Sequence, residues 1–188
     1  MNAIAPQKVS SIYADMIQAG IEFVDGGIIG GPAWEPKSTW LYLAGRQAEE
    51  VAGCFRQGLL ETEVMGTEIG KASALKMSFA AYTKGSTALL CAIMAAAEEM
   101  GVREALEKQW ARNGSEFADR TQNRLRRVTA KAWRFSGEME EIATTLDRAG
   151  QPDGFHLAAA DIYRRLADFK DAEAIPELQD VLRALRSS

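Results

Sequence analysis

One lysine stands out for the residues around it. In the segment Ala72-Ser73-Ala74-Leu75-Lys76-Met77-Ser78-Phe79-Ala80-Ala81 every residue but Lys76 is apolar or small. An ammonium in such a segment is expected to be partly buried, and burial lowers an amine's pKa toward the range useful for proton transfer at neutral pH. The alternative is a lysine at a helix edge that carries its charge out to water. Lys84 lies two turns further along, near the same helix face, and Lys71 is less closely aligned. A second feature is the glycine-rich run Asp25-Gly26-Gly27-Ile28-Ile29-Gly30-Gly31-Pro32. Glycines let a backbone approach a ligand closely and expose its amides to a carboxylate or phosphate. The spacing is not G-x-G-x-x-G, so it does not read as a nucleotide loop. A tight connection packed against helices uses the same residues.

Other candidates are weaker. Arg120, Arg124, Arg126, Arg127, Lys131 and Arg134 form a basic stretch, but Glu138, Glu140 and Glu141 follow at once. Ion pairs along a solvated face are the expected use of that stretch, rather than contact with nucleic acid. Trp110, Trp133 and Phe135 are expected in the core, and His156, just after a Pro-Asp-Gly turn, is expected to start a helix rather than touch substrate. Cys54 and Cys91 lie in apolar helical patterns and are expected to be buried free thiols. One histidine and two scattered cysteines do not make a zinc site, and no acidic spacing suggests another metal.

Composition narrows the classes. With 47% apolar and 26% charged residues the chain has the makeup of a globular protein, and a net charge of -4 argues against a polyanion as main partner. No apolar run is read as reaching the roughly 18–20 residues that cross a bilayer. The N-terminus MNAIAPQKVSS has neither the basic nor the apolar region of a signal peptide. A cytoplasmic chain with no membrane and no nucleic-acid partner is expected.

The elements that would position these residues change character along the chain. Pro6 opens a helix reaching about Ala19, with Val9, Ile12, Tyr13, Met16 and Ile17 at helical spacing. Ile21 to Asp25 alternates as a strand, with the glycine run after it. Thr39 to Ala44 is a second strand, Arg46 to Gln57 a helix, and Leu60 to Val64 a short edge strand. This is α/β organisation with three or four strands, too few for a stable open sheet, so the pattern is expected to continue upstream of Met1. From Thr67, a plausible N-cap, to Met100 runs a long proline-free helix. Further helices are expected at 102–113, 115–135, 137–149, 155–169 and 175–185.

Three stretches carry a family likeness: FVDGGIIGGPAW, GKASALKMSFAAYTKGSTALL and GEMEEIATTLDRAGQPDGFHLAAADIYRRL. Together they resemble the β-hydroxyacid dehydrogenase or 6-phosphogluconate dehydrogenase-like superfamily, and most closely its branch with a DUF1932 C-terminal domain. The resemblance implies a mainly α fold with a small α/β N-terminal part. Residues 1–66 would be the last strands of a Rossmann-like domain, and residues 67–188 a long helix and all-α dehydrogenase C-terminal domain. It also implies a homodimer.

Residue by residue, Asn2 and Ala3 fall where the family has a nicotinamide-side segment. Asp25 to Gly31 falls on the substrate-binding segment, with Gly30 and Gly31 matching and Ile29 replacing a serine. Lys76 falls on the general acid/base at the substrate hydroxyl. Ala80 replaces an asparagine one turn later, and Gly137, with Glu138 beside it, falls on the lysine of a C-terminal Lys-Asp pair; Lys84, near the same helix face as Lys76, is a further substrate-side candidate. The implied activity is NAD- or NADP-dependent hydride transfer on the hydroxyl or carbonyl group of a small-molecule hydroxyacid or alcohol, with a more apolar pocket than usual and so a bulkier substrate. Because the fingerprint is absent, no tight dinucleotide binding is expected of this chain alone, and a Rossmann domain in trans is an expected partner. The competing expectation is a non-catalytic helical dimerisation module.

Overall fold

The computed structural model describes residues 3–186. Among them, seven α-helices and three strands follow in the order α1 (Pro6–Gln18), β1 (Asp25–Gly30), β2 (Thr39–Ala44), α2 (Ala48–Gly53), β3 (Glu61–Val64), α3 (Lys71–Glu99), α4 (Arg103–Trp110), α5 (Phe117–Arg148), α6 (Gly154–Arg165) and α7 (Leu178–Arg186). The chain divides into two compact units. One comprises residues up to 80 with 144–152, and the other 81–143 with 153 onward.

The first unit is built on a small mixed sheet of order β1-β2-β3. β1 runs antiparallel to β2 in the register Asp25↔Ala44 to Gly30↔Thr39, and β3 runs parallel to β2. Leu41 and Leu43 of β2 are buried with Ala48 and Ala52 of α2, and Val24, Ile28, Val51, Phe55, Leu60 and Val64 pack around them. Alternation along β2 puts Leu41 and Leu43 on one face, as a half-buried strand requires. The first strand differs from expectation: it begins at Asp25, so the glycine run is itself the strand rather than the loop after one. Glycine is a poor strand former, but the whole ladder to β2 overrides that local preference.

The second unit is helical. α5 is one continuous helix of 32 residues, where two had been expected, broken at Gly137. Its buried residues Ala118, Thr121, Leu125, Thr129, Ala132, Phe135, Met139 and Ile142 recur every three or four positions, a stripe that holds the helix together through tertiary packing. Gly137 lies on the opposite, exposed face with open space where a side chain would stand. Gly137→Ala should therefore stabilise the protein by about 0.5–1 kcal/mol. A thermal melt of the variant checks this, and an unchanged or lowered midpoint would count against it.

Two other expectations need correction. α3 begins at Lys71, not at Thr67, for a reason given below. Its 29 residues are also, by length and composition, apolar enough to cross a membrane, with a mean hydropathy of 1.2 over its most apolar window. Here it serves as a core helix, with Ala88, Cys91, Met94 and Ala97 buried in the second unit. At the C-terminal end α7 turns Val181, Leu182 and Leu185 inward.

Candidate functional site around Lys76

The site of the first unit is made by the N-terminal turns of α3 lying against β1. A helix N-terminus has orphan amides that need acceptors, and α3 has one brought from far away in sequence. The Asp25 carboxylate, 2% exposed, accepts hydrogen bonds from the Gly70 amide (3.1 Å), the Ser73 amide (3.0 Å) and the Ser73 hydroxyl (2.6 Å). The negative charge at the positive end of the helix dipole adds to these bonds. Thr67 is therefore displaced as the cap by a residue on β1, and the helix starts where Asp25 reaches it.

Two residues further along the strand, on the same face, Gly27 touches the helix directly. A Cβ at Gly27 would stand 2.7 Å from the Ala72 carbonyl oxygen and 3.2 Å from the Lys76 Cβ. Only glycine lets the strand approach this closely, and the approach sets the stem of Lys76 against β1. Lys76 itself is half-buried, and among the described residues its ammonium makes no hydrogen bond or ion pair. The period of two places Ile29, half-buried, on the Lys76 side of the strand, while Ile28 points to the sheet core.

The other expected site residues are distributed differently. Gly30 has a left-handed φ of 124°, and a Cβ there would lie 2.5 Å from the Ser38 carbonyl oxygen. The Gly31 carbonyl accepts a 2.6 Å hydrogen bond from the Thr39 hydroxyl. Gly30 thus shapes the strand's exit, while a Cβ at Gly31 would meet open space. Ala80 is buried. Ala3 is half-buried ahead of α1, and Asn2 lies outside the described residues. Lys84 belongs to the second unit, where it pairs with Glu138 and sits 4.4 Å from the centre of the Phe135 ring.

His156 begins α6 as expected but is turned inward, 6% exposed, with Nε2 3.3 Å from the Ala81 carbonyl oxygen. A Cβ at Gly85 would stand 3.0 Å from that nitrogen, so small size at position 85 makes room for the ring. Cys91 is buried and its thiol is pushed up to about 12 by desolvation, whereas Cys54 is exposed, contrary to expectation. Trp133 is also no core residue: it is 46% exposed, with the Lys170 ammonium 4.6 Å over its ring. Among the described residues no group of three or more His, Cys, Asp or Glu is placed to hold a metal ion.

Sequence reasoning missed the roles of Asp25 and Ser73 in positioning Lys76. The two lie 48 residues apart, and no local pattern links them. The only signal was an acid opening the glycine run.

Comparison with known proteins fits this layout. Residues 97–166 match a domain of unknown function, DUF1932. No curated protein matches the chain. Among solved structures, a conserved hypothetical protein from Sinorhizobium meliloti is 26% identical over 98% of this chain and 64% of its own length, with a TM-score of 0.76. The conserved protein MTH1747 of unknown function, whose structure is similar to 3-hydroxyacid dehydrogenases, is 31% identical over 89% of this chain and 64% of its own, at 0.67. The 3-hydroxyisobutyrate dehydrogenase of Mycobacterium tuberculosis shares the fold at 16% identity over 98% of this chain and 68% of its own, at 0.60. The chain thus spans less than two thirds of the first two relatives' length. Its fold is similar to that of proteins of the 3-hydroxyacid dehydrogenase type.

Proposed function

We propose that this chain is the substrate-binding and dimerisation portion of an NAD(P)-dependent β-hydroxyacid dehydrogenase-like oxidoreductase of the cytoplasm, with Lys76 as general acid/base. In this reading residues 1–66 are the remnant of a Rossmann-like domain and residues 67–188 the all-α dehydrogenase domain. The observation that carries it is the seat of Lys76, set against a strand that only glycine can form so close to the helix. An ammonium held there by its stem, with no protein partner among the described residues, is free to exchange a proton with a substrate hydroxyl. In oxidation the neutral amine form of Lys76 takes the hydroxyl proton and becomes an ammonium, and in reduction the ammonium returns it.

The residues that would hold a dinucleotide are not found in this chain: Gly27 packs on Ala72 and Gly30 on Ser38, and the G-x-G-x-x-G turn is absent. The hydride half of the reaction needs a dinucleotide-binding domain in addition to these residues, in cis or in trans.

Ile29 and Ala80 make the substrate side apolar, so the substrate is a hydroxyacid or alcohol with an apolar body. Steady-state rates on a panel of hydroxyacids and alcohols, with the chain joined to a dinucleotide-binding domain, test this. Higher kcat/KM for the bulkier apolar members is expected, and a preference for small polar acids would sink it.

Self-association rests on a different observation. In the second unit a groove of about 400 Å³ is lined by Ala88, Leu89 and Ala92 of α3 and by Phe155, Ala159 and Ile162 of α6. Leu89 and Phe155 are 44% and 49% exposed, an apolar surface of the kind that subunits cover. Sedimentation equilibrium should give a homodimer for the chain and a monomer for Leu89→Glu; the same mass for both would remove the groove from the interface.

A further inference from the structure

The basic stretch of α5 is only partly neutralised. Arg126 does pair with Glu177, and Arg120 lies 4.0 Å from Glu116 with both side chains exposed. Arg124 behaves differently. Its Nε donates to the Thr87 hydroxyl (2.7 Å), and its Nη2 donates to the Thr83 carbonyl (2.6 Å) and the Ser86 hydroxyl (2.7 Å). Three neutral acceptors fix the guanidinium without cancelling its charge, and among the described residues Nη1 keeps both its donors unused.

Positions 120, 124, 127 and 131 follow at intervals of four, three and four, so their side chains share one face of α5. They line a groove of about 550 Å³ whose other walls are Thr87, Asn123, Val128 and Phe135, with no carboxylate among the lining residues. Arg127 and Lys131 are exposed and form no ion pair among the described residues. Like charges four apart on a helix repel by a few tenths of a kcal/mol per pair, and nothing within the groove offsets this. Some arginines elsewhere do have acidic partners: Arg103 has Glu98 and Glu107, and Arg186 has Glu99. A chain with 26 acidic and 22 basic residues leaves this one concave face purely cationic.

We propose that the α5 groove binds a small phosphate-bearing molecule. The unused Nη1 of Arg124 donates to a phosphate oxygen, Arg127 and Lys131 neutralise the remaining charge, and Val128 and Phe135 carry the apolar part of the molecule. The groove size is that of a small-molecule site. A nucleic acid fits less well, because the cationic stretch spans only about 17 Å of helix and a net acidic chain repels a long polyanion. This site lies wholly within the second unit and stands independently of the role proposed for Lys76.

The test is calorimetric titration of the whole chain with inorganic pyrophosphate, with a duplex oligonucleotide as comparison. Saturable one-site binding of pyrophosphate is expected, weakened about tenfold or more in the exposed double variant Arg127→Glu/Lys131→Glu. Arg124→Gln should abolish it, and melting curves of both variants report whether folding is kept. Absence of saturable binding, binding unchanged in the folded double variant, or tighter binding of the oligonucleotide than of pyrophosphate would each overturn the proposal. So would a shift from dimer to monomer in the double variant with pyrophosphate affinity unaltered, since the cations would then serve subunit contact.

Discussion

Replacing Lys76 by methionine should lower kcat of the reconstituted oxidoreductase by about 10²- to 10⁴-fold, the range lost when a positioned general acid/base is removed. The variant should fold as well as the parent, because methionine keeps the stem that packs against Gly27 while discarding an ammonium that bonds nothing among the described residues. Lys76→Arg sharpens the experiment. Arginine keeps the charge but stays protonated up to pH 12 and beyond, so it holds an anionic substrate without accepting a proton at neutral pH. If Lys76 moves the proton, the arginine variant should show a nearly normal KM with a kcat as low as that of the methionine variant. If Lys76 only attracts substrate, arginine should restore kcat and the two variants should part company. Full activity in Lys76→Met would remove the lysine from the chemistry altogether and leave the helical dimerisation module as the better description.

The sequence made some of this arrangement visible and hid the rest for physical reasons. Lys76 could be singled out because a charge among small and apolar neighbours violates the composition of its own helix. β2 was legible as a short run of aromatic and aliphatic residues between polar flanks, and its burial alternates as a half-buried strand's does. The course of β1 was not, since glycine's conformational freedom carries no strand signal, and pairing with β2 decides the matter. Gly137 misled because a helix-weakening residue on a solvated face costs about 1 kcal/mol, which a buried stripe of nine side chains overrides. The neutral anchoring of Arg124 was equally out of reach: charge patterning along α5 predicts ion pairs, and only packing against α3 shows that Thr83, Ser86 and Thr87 take their place.

Asp25 should prove to be the residue on which the Lys76 site depends structurally. Truncating it to alanine strands two amides and a hydroxyl in a buried position and removes a charge from the start of α3. Loss of a helix cap costs about 1 kcal/mol, and each buried donor left unpaired adds about 1 more. A total near 4 kcal/mol follows, or a melting midpoint lower by roughly 8–16 °C for a chain of this size. Ser73→Ala alone should cost less, since it removes one of the three donors and leaves the carboxylate with the two amides. Because both variants break the same hydroxyl–carboxylate bond, Asp25→Ala/Ser73→Ala should be less destabilised than the sum of the two, with a coupling of about 1 kcal/mol. Strict additivity would mean that the Ser73 hydroxyl is not bonded to Asp25 in solution. The stability loss should also carry a functional signature. Gly70 and Ser73 flank Ala72, which touches Gly27, so loosening the cap loosens the contact that seats Lys76. Reconstituted activity in Asp25→Ala, measured well below its own melting midpoint, should fall in kcat more than it rises in KM. A variant that melts early yet turns over normally when cold would confine Asp25 to holding the fold.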